Sequence, residues 1–170
     1  MPLRSTKATA FRRTALAAGL FALALASETR AAAAGPFDGL AGSWAGSGSI
    51  ALADGTSERI RCRVASDVSG GGTGLQQQLR CASVSYNFDL SSTVRSQGGT
   101  LSGTWFEATR GIGGNLRGRA SGALVEAVVE AGGFSASIAI QTRDNSQSIS
   151  IRSRGDQFRE VSITLRKGGR

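Results

Sequence analysis

Leu40-Ala41-Gly42-Ser43-Trp44-Ala45-Gly46-Ser47-Gly48-Ser49-Ile50 is the stretch on which the fold turns. Small residues fill it, and Trp44, Ile50 and Leu52 share one parity, the period of a strand with one dry face. Beyond it the chain repeats the pattern to its end. Gly, Ser and Thr are abundant and Pro nearly absent, and β-type alternation recurs every 8 to 12 residues, the spacing of a sandwich or barrel. Strands are expected near 43–52, 57–65, 75–82, 86–95, 100–109, 114–121, 123–131, 134–142, 147–153 and 159–166. Asp54-Gly55, Gly98-Gly99 and Gly132-Gly133 read as hairpin turns, where glycine accepts positive φ without steric cost.

The faces separate cleanly. Ile60, Cys62 and Val64 lie on one side, as do Phe134, Ala136, Ile138 and Ile140, then Ile149 and Ile151, then Val161, Ile163 and Leu165. Arg59, Arg61, Arg63, Ser135, Ser137, Ser148, Arg152, Ser162, Thr164 and Arg166 lie on the other. Strand 100–109 resists this reading, because Trp105 and Phe106 are adjacent and cannot both face inward. The expectation is all-β: an antiparallel up-and-down meander of eight to ten strands closing into a barrel, which removes sheet edges.

Upstream, residues 1–34 carry the parts of a cleavable export signal. Arg4, Lys7, Arg12 and Arg13 form a basic region, Thr14 to Ala26 an apolar run, and Ala24-Leu25-Ala26 and Ala32-Ala33-Ala34 two small-x-small cleavage sites. The run of 13 residues is too short for a membrane span, which needs about 20. Arg12-Arg13 raises the twin-arginine route, but its neighbours match weakly. Two domains of unequal kind follow: 1–34, a signal segment cleaved after Ala26 or Ala34, and 35–170, a single barrel. The expected location is periplasmic or secreted, and no transmembrane segment is expected in the mature chain. A membrane barrel would show aromatic girdles and an outward apolar band. Residues 35–170 hold eight aromatics, and the chain ends Arg166-Lys167-Gly168-Gly169-Arg170.

The net charge of +8 falls to +4 over residues 35–170, with 15 basic and 11 acidic residues. So mild an excess does not point to nucleic acid. The chain has no histidine, which excludes Ser-His-Asp and Cys-His catalysis and a zinc site of His and Cys. Two carboxylates could still hydrolyse a glycoside, but the acidic residues are scattered. The expectation is a protein that is not an enzyme, without a cofactor or metal, and a monomer.

Cys62 and Cys81 are the only cysteines. In an exported chain two cysteines form a disulfide. They are equidistant from the centre of the glycine-rich connection Val68–Gly74, so they fall opposite each other on adjacent strands and face inward with Ile60, Val64 and Leu79. A redox-active pair has no Cys-x-x-Cys or helix N-terminus to lower a thiol pKa. The same register turns Arg61, Arg63 and Arg80 outward and sets Arg63 opposite Arg80. That costs stability unless Glu58, Asp67 or a bound anion offsets it. These three arginines are a candidate face for anionic envelope components, set against the plainer reading of a solvated outer surface.

Leu40-Ala41-Gly42-Ser43-Trp44 resembles the Gly-x-Trp first-strand motif of lipocalins and related calycins. The resemblance implies a calycin-like barrel that carries small apolar molecules. It implies that Trp44, after Gly42, closes the barrel floor under an arginine of the last strand: Arg166, with Arg159 second. Leu101-Ser102-Gly103-Thr104-Trp105 echoes the motif and is similar to a strand of avidin-type barrels, without the stacking aromatics of a biotin site. Periplasmic metalloproteinase inhibitors also open on Gly-x-Trp, but only the short Gly35–Gly39 arm precedes the barrel here. Arg61-Cys62-Arg63 and Leu79-Arg80-Cys81-Ala82-Ser83 resemble segments of small exported α-proteobacterial proteins of uncharacterised function. The resulting expectation is a barrel binding a small apolar or amphipathic ligand, with an inhibitor-like barrel or a structural envelope protein as alternatives. The inward residues read as rich in Ala, Val and Ile and poor in aromatics, so the lumen is either a small cavity or simply filled.

Overall fold

The computed structural model describes residues 34–154 and 157–168. The expected export signal therefore lies, but for Ala34, outside the described residues.

Ten strands follow one another in chain order: β1 (Gly42–Leu52), β2 (Ser57–Ser69), β3 (Gly74–Ala82), β4 (Asn87–Gln97), β5 (Thr100–Glu107), β6 (Ile112–Ser121), β7 (Leu124–Ala131), β8 (Phe134–Arg143), β9 (Ser146–Ser153) and β10 (Phe158–Lys167). Each pairs antiparallel with the next, and β10 pairs with β1, which closes the barrel. The all-β meander read from the sequence is thus observed, with ten strands. Among the described residues no helix is long and apolar enough to cross a membrane.

Side-chain alternation decides what lies inside. Ile60, Cys62 and Val64 are buried while Arg59, Arg61 and Arg63 are exposed; Val161, Ile163 and Leu165 are buried while Ser162, Thr164 and Arg166 are exposed. The apolar lumen and polar exterior invert the pattern of a membrane barrel. The ambiguity in β5 resolves inward for Trp105, and Phe106 lies outside, half-exposed.

Inward glycines allow the tight curvature. Gly46 and Gly48 on β1, Gly103 on β5, and Gly114 and Gly118 on β6 share parity with buried neighbours. A Cβ on Gly48 would stand 1.8 Å from the Ser162 carbonyl oxygen, and one on Gly118 2.0 Å from that of Glu126. Strands bend hardest where no side chain obstructs the neighbouring backbone.

The Gly35–Leu40 arm packs against the barrel. It turns through a single 3₁₀ turn, Asp38–Leu40, and seals one end of the barrel. Phe37 and Leu40 are 0% and 2% exposed, and the Phe37 N–H donates to the Gly72 carbonyl at 3.0 Å.

Candidate ligand-binding site

The barrel has a sealed end and an open end, and the Gly-x-Trp motif belongs to the sealed one. Gly42 adopts φ +103 where the chain turns into β1. Trp44 is 1% exposed, and its indole N–H donates to the Leu40 carbonyl at 2.9 Å. The cation over its ring is Lys167, with Nζ 5.4 Å from the ring centroid. This corrects the assignment of that position to Arg166. Lys167 is the register partner of Trp44, while Arg166 is opposite Ala45 and one residue out of phase, so alternation turns it to solvent. Arg159 instead donates to the Ala53 carbonyl at 3.2 Å.

Cys62 and Cys81 are register partners joined by a disulfide, with Cα atoms 4.2 Å apart. Arg63 does lie opposite Arg80. The offsetting charge is Asp89 on β4, whose Oδ2 accepts from Arg80 Nε at 2.9 Å. Neither of the expected carboxylates serves: Asp67 is opposite Gln76, and Glu58 accepts from the Ser85 backbone and hydroxyl. Arg61, Arg63 and Arg80 all remain exposed on the outer wall.

At the open end, where β4, β6, β8 and β10 begin, lies a cavity of about 320 Å³. Its walls are chiefly apolar and include Phe88, Trp105, Phe134, Ile138 and Phe158. A smaller void of about 50 Å³ continues toward the floor and shares Leu90, Trp105, Val129, Ile138 and Ile151 with it. The lumen is thus not simply filled.

Nor is it poor in aromatics. Tyr86, Phe88, Trp105, Phe134 and Phe158 all line this one cavity. They form a chain of ring contacts: Tyr86–Phe88 at 6.4 Å, Tyr86–Phe158 at 6.2 Å, Phe134–Phe158 at 6.5 Å and Trp105–Phe134 at 5.8 Å between centroids. Five of the eight aromatics of residues 35–170 therefore converge on the open end. The Trp105 indole N–H is buried and has no hydrogen-bond partner among the described residues.

A polar cluster sits at the mouth. Glu107, 5% exposed, continues the inward parity of Leu101, Gly103 and Trp105. Its Oε1 accepts from the backbone N–H groups of Asp89 and Thr109, each at 3.0 Å. Its Oε2 accepts from the Arg110 backbone N–H at 2.9 Å and from Arg110 Nη1 at 3.3 Å. Burial pushes this carboxyl upward, but the Asp89 N–H, the Thr109 hydroxyl and the N–H groups of Thr109 and Arg110 outweigh burial and hold it below the usual value. Glu107 is an ionised clamp with both oxygens engaged.

The clamp fixes Arg110. Its Nε donates to Gln157 Oε1 at 2.8 Å and its Nη1 to the Asn87 carbonyl at 3.3 Å. Gln157 Oε1 also accepts from the Tyr86 hydroxyl at 3.0 Å, and Arg110 lies over the Tyr86 ring. No hydrogen bond within the described residues uses Nη2 of Arg110. The sequence reading missed Glu107, Arg110, Tyr86 and Gln157. The signal for Glu107 was available: counting by twos from Leu101 puts a carboxylate on the inward face of β5.

With the cavity in view, comparison with known proteins bears on the fold. No protein-family model matches the chain, and no curated protein matches it in sequence. Among solved structures, it is similar to Rv2717c from M. tuberculosis, at 14% identity and TM-score 0.62, over 78% of this chain and 94% of that one. It is also similar to the S-type phycobiliprotein lyase CPES from Guillardia theta, at 8% identity and TM-score 0.53, over 79% of this chain and 92% of that one. The likeness is one of fold. It nevertheless corrects the expectation that the chain is not an enzyme: a lyase is built on a similar barrel, so the fold does not exclude an activity.

Proposed function

We infer that this chain is an exported barrel that binds a small amphipathic ligand in the cavity at its open end. The observation that carries the reading is the aromatic-walled cavity of about 320 Å³ with an arginine fixed at its mouth. Ligand sites are concave and mostly apolar, with a few placed polar groups. Space equal to about ten waters at roughly 30 Å³ each suits the apolar body of a small molecule. Its polar end would lie at the mouth and accept from Nη2 of Arg110. The buried indole N–H of Trp105 adds a second feature, because an unmade hydrogen bond costs about 1–3 kcal/mol that a ligand oxygen at the wall would recover. Binding of this kind is common to carriers and to enzymes that alter or transfer what they hold.

The signal-like sequence of residues 1–34, the disulfide and the polar exterior support a reading of its location as outside the cytoplasm, periplasmic in a cell with two membranes. The outward Arg61 and Arg63 leave anionic envelope components as a second, weaker partner class. Native mass spectrometry of the protein isolated from its own cell envelope tests the main reading. A discrete small-molecule adduct supports it, and an apo mass with no thermal shift across apolar and amphipathic compounds contradicts it.

A further inference from the structure

We propose that the Ala34–Gly35 bond is the processing site of this chain, and that the barrel floor is built to capture the ammonium group of Gly35 once that bond is cut. The sequence offers two cleavage sites, after Ala26 and after Ala34, and does not choose between them. The floor of the barrel does.

Gly35 is held on three sides. Its backbone nitrogen lies 2.7 Å from Asp38 Oδ2. Its carbonyl accepts from the Asp38 N–H at 3.2 Å. Its Cα rests against the β2–β3 connection so closely that a Cβ would stand 2.4 Å from the Gly71 carbonyl oxygen and 2.4 Å from the Gly72 Cα. Only glycine fits there. The opposing surface is shaped to match: Gly70, Gly71 and Gly72 all take positive φ, at +60, +64 and +82, and a Cβ on Gly72 would overlap Asp38 Oδ1. Ala34, one residue earlier, is exposed.

An uncut chain, or one cut after Ala26, brings a single amide N–H to the Asp38 carboxylate. Hydrolysis at Ala34 changes that group. Water adds its oxygen to the Ala34 carbonyl carbon, the C–N bond breaks, and the released nitrogen becomes the ammonium of Gly35. The agent is an envelope peptidase of the class that accepts small residues at the first and third positions before the cut. The ammonium brings a unit charge to Asp38, and a charge-assisted hydrogen bond is roughly twice as strong as a neutral one. Two residues on, Phe37 seals the lumen, so fixing Gly35 fixes the plug. The inference is independent of what the cavity binds.

The test is to express the full chain with its own leader in a bacterial host and to measure the intact mass and the N-terminal peptide of the exported protein. A chain beginning at Gly35 is expected; one beginning at Ser27, or anywhere else, overturns the proposal. The capture is read separately by placing Asp38→Asn in chains 35–170 and 27–170. The melting temperature of the shorter chain should fall by about 2–4 °C and that of the longer by less than half as much. Equal losses overturn it. Should Asp38→Asn fail to fold in either chain, 1 M NaCl replaces it: salt that screens the pair should narrow the stability difference between the two unmutated chains, and an unchanged difference overturns it.

Discussion

The guanidinium carbon of Arg110 stands 4.5 Å from the centroid of the Tyr86 ring. Tyr86 and Arg110 share the side-chain oxygen of Gln157 as acceptor, so the cation is stacked, hydrogen-bonded and held at the rim of the aromatic cavity. Such a site selects for position as well as charge. Replacing Arg110 with Met should weaken an anionic amphipathic ligand about tenfold and leave a neutral apolar one within about twofold. Lysine should restore less than half of the lost free energy, because it lacks the planar fork. Titration followed by Trp105 emission checks this, with Trp44 a constant background at the sealed end.

Glu107→Gln should lower stability by about 1–3 kcal/mol at neutral pH, since a buried carboxylate with four donors becomes an amide that cannot accept from all of them. The group also predicts an acid response. Its folded-state pKa lies below the usual glutamate value. The stability it contributes is therefore complete above that value and is lost as pH falls through the lower, folded one. Urea unfolding at pH 7 and at pH 3 should show a smaller acid loss in the glutamine variant than in the parent.

The disulfide closes a loop of 19 residues' separation and should contribute about 3 kcal/mol. The Cys62→Ser, Cys81→Ser double variant should remain a barrel by far-ultraviolet circular dichroism and unfold at lower urea, with the difference in unfolding free energy giving the magnitude.

Much of this molecule could be read by counting in twos. Every strand was anticipated, because nearly all alternate an apolar with a polar residue, β5 with its adjacent Trp105 and Phe106 excepted, and nearly every turn carries glycine. The disulfide and the facing of Arg63 and Arg80 followed from one hairpin centre. What alternation does not carry is the relation between distant strands. Phe134 and Phe158 lie 24 positions apart and meet Tyr86 and Trp105 only after β10 closes on β1, so the aromatic cavity was invisible. Asp89 is the register partner of Arg80 on β4, on the side of β3 away from β2, whose Glu58 and Asp67 were the carboxylates expected to offset the charge. Arg166 was displaced by Lys167 through a register of one residue, below the resolution of strand-end assignment. The packing of the Gly35–Gly39 arm was not legible, because nothing local tells a plug from a tail.

Inward glycines provide a further test. Gly48→Ala should cost more than 3 kcal/mol or prevent folding, because its Cβ meets a backbone carbonyl that cannot move without breaking the β1–β10 ladder. Gly132→Ala, with open space around it and no positive φ, should lie within about 0.5 kcal/mol of the parent. Thermal melts of the pair decide.

The central claim is that the open-end cavity takes an amphipathic ligand. It is tested most directly by titrating 1-anilinonaphthalene-8-sulfonate, an aromatic body with an anionic end, into the parent and into an Ala136→Phe variant. Ala136 is buried on the cavity wall, so phenylalanine there fills the space. The account predicts saturable one-to-one binding with quenching of Trp105 in the parent, and at least tenfold weaker binding in a variant that still melts cooperatively. Equal binding to both folded proteins, or none to the parent, would contradict it.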